Sequence, residues 1–171
     1  MKVKIREVTE AELKEALIRE GKGKELPSMH NNWKFNFATQ LKNLSNAKAY
    51  VLVTADASQT PQGCMIFQLV EKVIPYMAYL ETAPHNRGIA KKYDDVAGCL
   101  IAFACKLALT SKDENHRGYL TFNVGEKDLA DEKKLIEIYL KKYGATHIAN
   151  TTTLYIPPEI GEKLMAKYLI D

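Results

Sequence analysis

Residues 76–109 read YMAYLETAPHNRGIAKKYDDVAGCLIAFACKLAL, and the fold turns on this stretch. Tyr76–Thr82 alternates like a strand. A polar loop rich in small and basic residues follows. From about Val96 to Leu109 the chain is helical in pattern, with Lys106 its one charge. A helix that is apolar nearly all round is buried, so this one lies across a sheet and is covered on its far side. A basic loop that opens such a helix makes an anion site, because free backbone N–H groups and the positive end of the helix dipole converge there. The implied ligand is a phosphate-bearing cofactor at the mouth of a strand–loop–helix unit.

Outward from that unit the elements alternate. Val3–Val8 reads as a strand. Thr9 and Glu12 form a capping box for a helix over AELKEALIRE, with Leu13, Leu17 and Ile18 apolar and Gly21 as its stop. An irregular segment rich in Gly, Pro and Asn precedes a second helix over about Asn36–Leu44. Ala49–Thr54 and Gly63–Val70 read as a hairpin, joined by turn material. Beyond the central helix come a strand (Gly118–Val124) and an amphipathic helix (Glu132–Tyr143) whose apolar side carries Leu135, Ile136, Ile138, Tyr139 and Tyr143. Gly144 ends that helix. Through a short strand at Thr146–Ile148 the order is β-α-α-β-β-β-α-β-α-β, and a second short strand (Thr151–Ile156) and a last helix (about Glu159–Leu169) follow. No repeat or linker interrupts it, so residues 1–171 read as one domain.

Composition narrows the function. With 46% apolar and 26% charged residues the chain is globular. No apolar run reaches the roughly 20 residues of a bilayer span, and the N-terminus lacks an apolar signal segment; a soluble cytoplasmic protein without a membrane partner is expected. The net charge of +3 suits an anionic cofactor and is too mild for a dedicated nucleic-acid binder, so no nucleic-acid partner is expected. Cys64, Cys99 and Cys105 lie in apolar runs without an adjacent base. They suit neither a disulfide framework nor zinc nor nucleophilic catalysis, and no metal is expected.

The element order, the strand ending PYMAYLETAP and the later pair GYLTFNV…LIEIYLKKYGA resemble the Gcn5-related N-acetyltransferase superfamily over nearly the whole chain. The resemblance implies an α/β fold: a three-layer α/β/α sandwich with a twisted, mostly antiparallel sheet. Its fourth and fifth strands (Tyr76–Thr82 and Gly118–Val124 in the order above) splay apart. It also implies acetyl-CoA as acyl donor in that gap, and direct transfer to a primary amine of a small molecule or peptide. Glu81 stands where the family often has its carboxylate base, and Tyr139 near the place of the tyrosine that protonates the departing thiolate. Main-chain groups around Leu80–Thr82 stand for the oxyanion donor, and Asn123 for the polar residue beside the pantetheine arm.

The family's phosphate loop, Gln/Arg-x-x-Gly-x-Gly/Ala, fits in two registers. One starts at Arg87. The other, anchored on the helix, runs from Lys92 through Tyr93, Asp94, Asp95 and Val96 to Ala97, and puts Asp95 where glycine is expected. The helix-anchored register is preferred, because the amides that hold a diphosphate belong to the helix's first turn. Arg87, Lys91 and Lys92 then supply counter-charge, with the grip extending through Ala97 and Gly98. Asp94 or Asp95 as an N-cap competes with an anion for the same amides. A non-catalytic acyl-CoA-binding module on the same fold is the second reading. A nucleic-acid adaptor rests only on the mild positive charge, and a homodimer stays open.

Overall fold

The computed structural model describes residues 1–170. Its first departure from expectation is at the N-terminus. Lys2–Glu7 (β1) and Glu12–Gly21 (β2) form an antiparallel hairpin, with Lys2 opposite Leu17 and Glu7 opposite Glu12. The segment AELKEALIRE is thus a strand, and Thr9–Glu12 belongs to the hairpin turn, where Ala11 takes φ 55°. This sequence carries two periodicities. The helical one would bury Leu13 with Leu17, whereas the strand buries Ala16 with Ile18 and leaves both leucines exposed. Pairing β2 between β1 and Ala47–Thr54 (β3) satisfies its backbone on both sides, and that tertiary gain overrides helix propensity.

Ala57–Val70 (β4), Ile74–Thr82 (β5), Tyr93–Asp94 (β6), Leu120–Asn123 (β7), Thr146–His147 (β8) and Thr153–Ile156 (β9) complete the sheet. Among the described residues it has 9 strands in the order β6-β1-β2-β3-β4-β5-β7-β9-β8. Every neighbouring pair is antiparallel except β5 and β7. The short helix Phe37–Lys42 (α1), capped by Asn36, covers the β3–β4 face through Phe37. Val96–Ala108 (α2) crosses the opposite face, and Pro158–Tyr168 (α4) packs upon α2. These three layers match the sandwich expected from the sequence. Leu129–Tyr143 (α3) starts earlier than expected because Asp128 caps it, accepting from Ala130 and Asp131 amides at 2.7 and 3.3 Å. Of its supposed apolar side, Tyr139 and Tyr143 are buried but Ile138 is exposed.

Two features set the functional geometry. Ile66 pairs with Tyr79 while Phe67 pairs with Met77, so Ala78 is an unpaired bulge in β5. The bulge resets the side-chain alternation. Met77 and Leu80 both join the core under α2, whereas Ala78 and Tyr79 join the α1 side. The even alternation expected over Tyr76–Thr82 is therefore broken, although Tyr79 and Glu81 do share the α1 side. Gly63 supplies the second feature: a Cβ there would lie 2.7 Å from Val96 and 2.8 Å from Leu100. The absent side chain lets the start of α2 sit directly on β4.

The strand assignment of residues 12–21 is testable by equilibrium urea unfolding. Ile18→Ala should lose about 2–4 kcal/mol as a buried large-to-small change. Leu13→Ser, buried only in the helical alternative, should stay within about 0.5 kcal/mol of the parent.

Candidate functional site

β5 and β7 touch at one register pair, Tyr76 with Thr121. Beyond it the strands part, and a cavity of about 530 Å³ opens between Glu81–Thr82 on one side and Asn123–Glu126 on the other. The antiparallel alternation fixes what β5 presents there. Ala83 N–H bonds to Gln62 carbonyl at 2.9 Å, so the amides and carbonyls of Thr82 and Leu80 turn away from β4 and into the opening. These are the main-chain groups that the family resemblance offers as oxyanion donors.

Tyr139 stands at the far wall. Its ring packs against Phe122 at 4.7 Å and Tyr143 at 5.9 Å. The residue lines the cavity, and its hydroxyl has no hydrogen-bond partner among the described residues. Burial, with the charge of Glu126 added, pushes this phenol well above its usual range and keeps the proton on it.

Glu81 lies in the opening as expected, but its oxygens are engaged. Oε1 accepts from Lys34 N–H at 2.5 Å and from the Arg87 guanidinium, and Oε2 accepts from Phe35 N–H at 3.1 Å. Arg87 also donates to the Thr82 carbonyl through Nε at 2.9 Å and Nη2 at 2.7 Å. The carboxylate therefore ties three segments together: β5, the loop before α1 and the loop before α2. Arg87, expected as phosphate counter-charge, is spent on this tie. Lys34 in turn holds Glu126 across the rim, with Nζ 2.8 and 2.6 Å from the two carboxylate oxygens.

The loop expected to hold phosphate runs through Tyr93–Asp94 and Asp95 into α2. Residues 86–91 form an excursion pinched at its neck, where Lys92 N–H bonds to His85 carbonyl at 2.8 Å and Tyr93 N–H bonds to Asn86 Oδ1 at 3.1 Å. These residues are thereby looped out, with Ile89 fully exposed. Asp95 takes φ 68°, the left-handed conformation that explains why glycine suits this position, and aspartate is one of the few residues that tolerate it. The feared competition does not arise at Asp95, whose side chain makes no capping bond. Asp94 accepts from Asp95 N–H at 2.8 Å and pairs with Lys91 at 2.9 Å. Burial pushes the Asp94 carboxyl up, but those two partners outweigh it and hold it below the usual range. The amides of Val96, Ala97 and Gly98 have no partner among the described residues.

A second cavity, of about 190 Å³, lies against these amides and is lined by Tyr93, Val96, Ala97, Lys91 and Lys142. Thr82 lines both cavities. Lys142, near the end of α3, was not legible as a site residue, because only the fold carries it to the start of α2. Lys92 instead packs its ammonium 5.1 Å from the Tyr93 ring centroid. Gly98 is fixed by packing, since a Cβ there would meet Tyr168 at 2.5 Å. Asn123 reaches the cavity, where its Oδ1 accepts from Thr153 at 2.7 Å.

Trp33 is a core residue, edge-on to Phe37 at 6.0 Å, and His30 is exposed. His85 Nε2 lies 2.7 Å from Gln62 Oε1. The three cysteines are buried; burial lifts the thiols of Cys99 and Cys105 to about 12, which suits inert core residues. No group of metal-ligating residues occurs among the described residues, and none of their helices is long and apolar enough to cross a membrane.

No protein-family profile matches the sequence, and no curated protein aligns with it. Solved structures do match. The KacTA–DNA complex superposes with a TM-score of 0.60 at 12% identity, covering 89% of this chain and 99% of that one. AtaTR bound with acetyl-CoA gives 0.55 at 14%, covering 87% and 97%. The chain has the Gcn5-related N-acetyltransferase fold. The spermidine/spermine N-acetyltransferase SpeG from Vibrio cholerae, in mutant form, matches it at a TM-score of 0.55 and 15% identity, covering 86% and 98%. AtaT is also solved with acetyl-methionyl-tRNAfMet. Because proteins of this fold have been solved with DNA and with tRNA, the exclusion of a nucleic-acid partner on net charge alone does not stand.

Asn86, absent from the sequence reading, anchors the loop neck. Its Nδ2 donates to the Gln62 carbonyl at 3.1 Å and to Gln62 Oε1 at 3.0 Å. Asn86→Ala leaves the buried Tyr93 amide unpaired and should cost about 1–3 kcal/mol in urea unfolding.

Proposed function

We propose that this chain is an acyl-CoA-dependent N-acyltransferase, with acetyl-CoA as donor and a primary amine as acceptor. One observation carries the reading: unpartnered amides at the start of α2 lead, past the outward-facing backbone of Thr82 and Leu80, to the unpartnered hydroxyl of Tyr139. That track has the right chemistry at each station. The α2 amides, with Lys91 and Lys142, suit a diphosphate. The backbone of β5 suits the amides of a pantetheine arm. A neutral phenol at the far end suits protonation of a leaving thiolate. Solved proteins of the same fold include acetyltransferases and an acetyl-CoA complex, which supports the reading.

The cavity passes through the sheet, and this divides the labour. Thr82 and Leu80 lie on the α2 side, from which acetyl-CoA enters. Glu81, Tyr79 and Phe35 lie on the α1 side, and the acceptor comes from there. The amine attacks directly, without an acyl-enzyme, because the buried cysteines are out of reach. The N–H groups of Leu80 and Thr82 face the opening and can stabilise charge developing on the carbonyl oxygen. Tyr139 gives its proton to the departing sulfur. Glu81, first read as the base, acts in this proposal as a positioning residue that sets Arg87 and the Lys34–Phe35 backbone around the cavity.

Three measurements test this. Acetyl-CoA at a hundred times its Kd should stabilise the protein by about 2.7 kcal/mol, read as a raised Tm; no shift at saturation ends the proposal. Tyr139→Phe should lower kcat for thiol release by about 10²-fold or more while acetyl-CoA still raises the Tm; an unchanged kcat removes Tyr139 from the chemistry. Asp95→Gly removes an anion beside the diphosphate and relieves the left-handed backbone, so acetyl-CoA should bind more tightly by calorimetry; weaker binding would show that Asp95 serves the site.

A further inference from the structure

The charges around the acceptor side of the cavity are all spoken for. Glu81 takes three donors, from Lys34, Phe35 and Arg87. Glu126 is held at both oxygens by Lys34. Each carboxylate thus faces a cation, and the cavity wall is neutral in sum. The remaining titratable groups there are tyrosines. Tyr79 donates to Gln40 at 2.8 Å, and Tyr76 and Tyr139 are pushed up by burial and stay neutral. No histidine lines the cavity. An alkylammonium would meet neither a free carboxylate to bind it nor a free base to take its proton.

We infer that the acceptor is a weakly basic amine that enters uncharged, specifically an α-amine beside a carbonyl group, as in an amino-acid derivative or a peptide N terminus. The inference rests on the acyltransferase reading above and narrows its substrate class. An α-amine has a pKa of about 7.7–8.0, so a quarter or more of it is neutral at pH 7.5, whereas a lysine side chain near 10.4 is neutral in about one molecule per thousand. An enzyme without a base gains a few hundred-fold from that difference alone. The aromatic walls of Phe35, Tyr79 and Phe122 favour the neutral form too, since an apolar surround penalises an unpaired charge.

The transfer balances without a carboxylate base. The amine nitrogen forms the new C–N bond as the C–S bond breaks. Tyr139 gives its phenolic proton to the sulfur, and the proton shed by nitrogen returns through water to Tyr139. The products are the amide and free thiol, and the enzyme regains its starting state.

The test compares thiol release from acetyl-CoA, by the intact protein, with four acceptors: an amino-acid amide, a tripeptide with a free α-amine, Nα-acetyl-lysine amide and spermidine. At pH 7.5 the two α-amines should show kcat/KM about 100-fold or more above the other two. Between pH 7 and 9 the α-amine rates should level near pH 8, while any alkylamine rate keeps climbing about tenfold per pH unit. The relative rates of amide and tripeptide tell a single residue from a peptide as the source. Alkylamines turned over within tenfold of the α-amines, or turnover of none of the four, overturns the inference. If acetyl-CoA still raises the Tm in either case, the donor site survives and only the acceptor class has failed; if that shift is missing too, the acyltransferase reading itself has failed.

Discussion

The structure depends on a fork in its sheet. β5 and β7 run parallel, meet at Tyr76 and Thr121, and then separate. The bulge at Ala78 lies two residues past that contact and bends β5 as it parts from β7. Because a strand leaving its neighbour exposes its ladder groups, the fork creates a row of backbone donors and acceptors in the middle of the sheet, where they would otherwise be paired. The site is therefore made by withholding hydrogen bonds as much as by placing side chains.

Glu81 bears the structural consequence of that opening. An acid buried beside apolar core needs partners, and here two backbone amides and a guanidinium provide them. The same bonds pin the segment before α1 and the loop before α2 to the fork. Removing the carboxylate would unpair the Lys34 and Phe35 amides and leave Arg87 held only by the Thr82 carbonyl. Holding two loops to β5 in this way conflicts with accepting and releasing a proton on every turnover, which is why the proposed mechanism gives Glu81 a positioning role.

The start of α2 shows the opposite economy. Asp95 adopts a backbone conformation that glycine would take without strain, and its side chain leaves the first-turn amides alone. Gly63 and Gly98 let β4 and Tyr168 close on the helix from both sides, so its mouth is held rigidly against the sheet. An anion bound there meets preset dipoles and spends little on ordering them.

Much of this was legible in the sequence, and the misses have definite causes. The apolar run Val96–Leu109, the strand before it and the glycine after Tyr143 fixed the central helix, the sheet and the end of α3, because their patterns are one-dimensional and strong. Glu81 and Tyr139, singled out through the family resemblance, do line one cavity. The sequence could not decide between helix and strand for residues 12–21, where both periodicities coexist and only pairing with β1 and β3 breaks the tie. Nor could it show that Glu81 and Arg87 neutralise each other, that Lys142 comes to the start of α2, or that Asn86 closes the loop neck. Local pattern records which face a side chain takes. Which distant donor meets which acceptor depends on how the elements pack, and here that packing decides how the loop is held and which charges remain free.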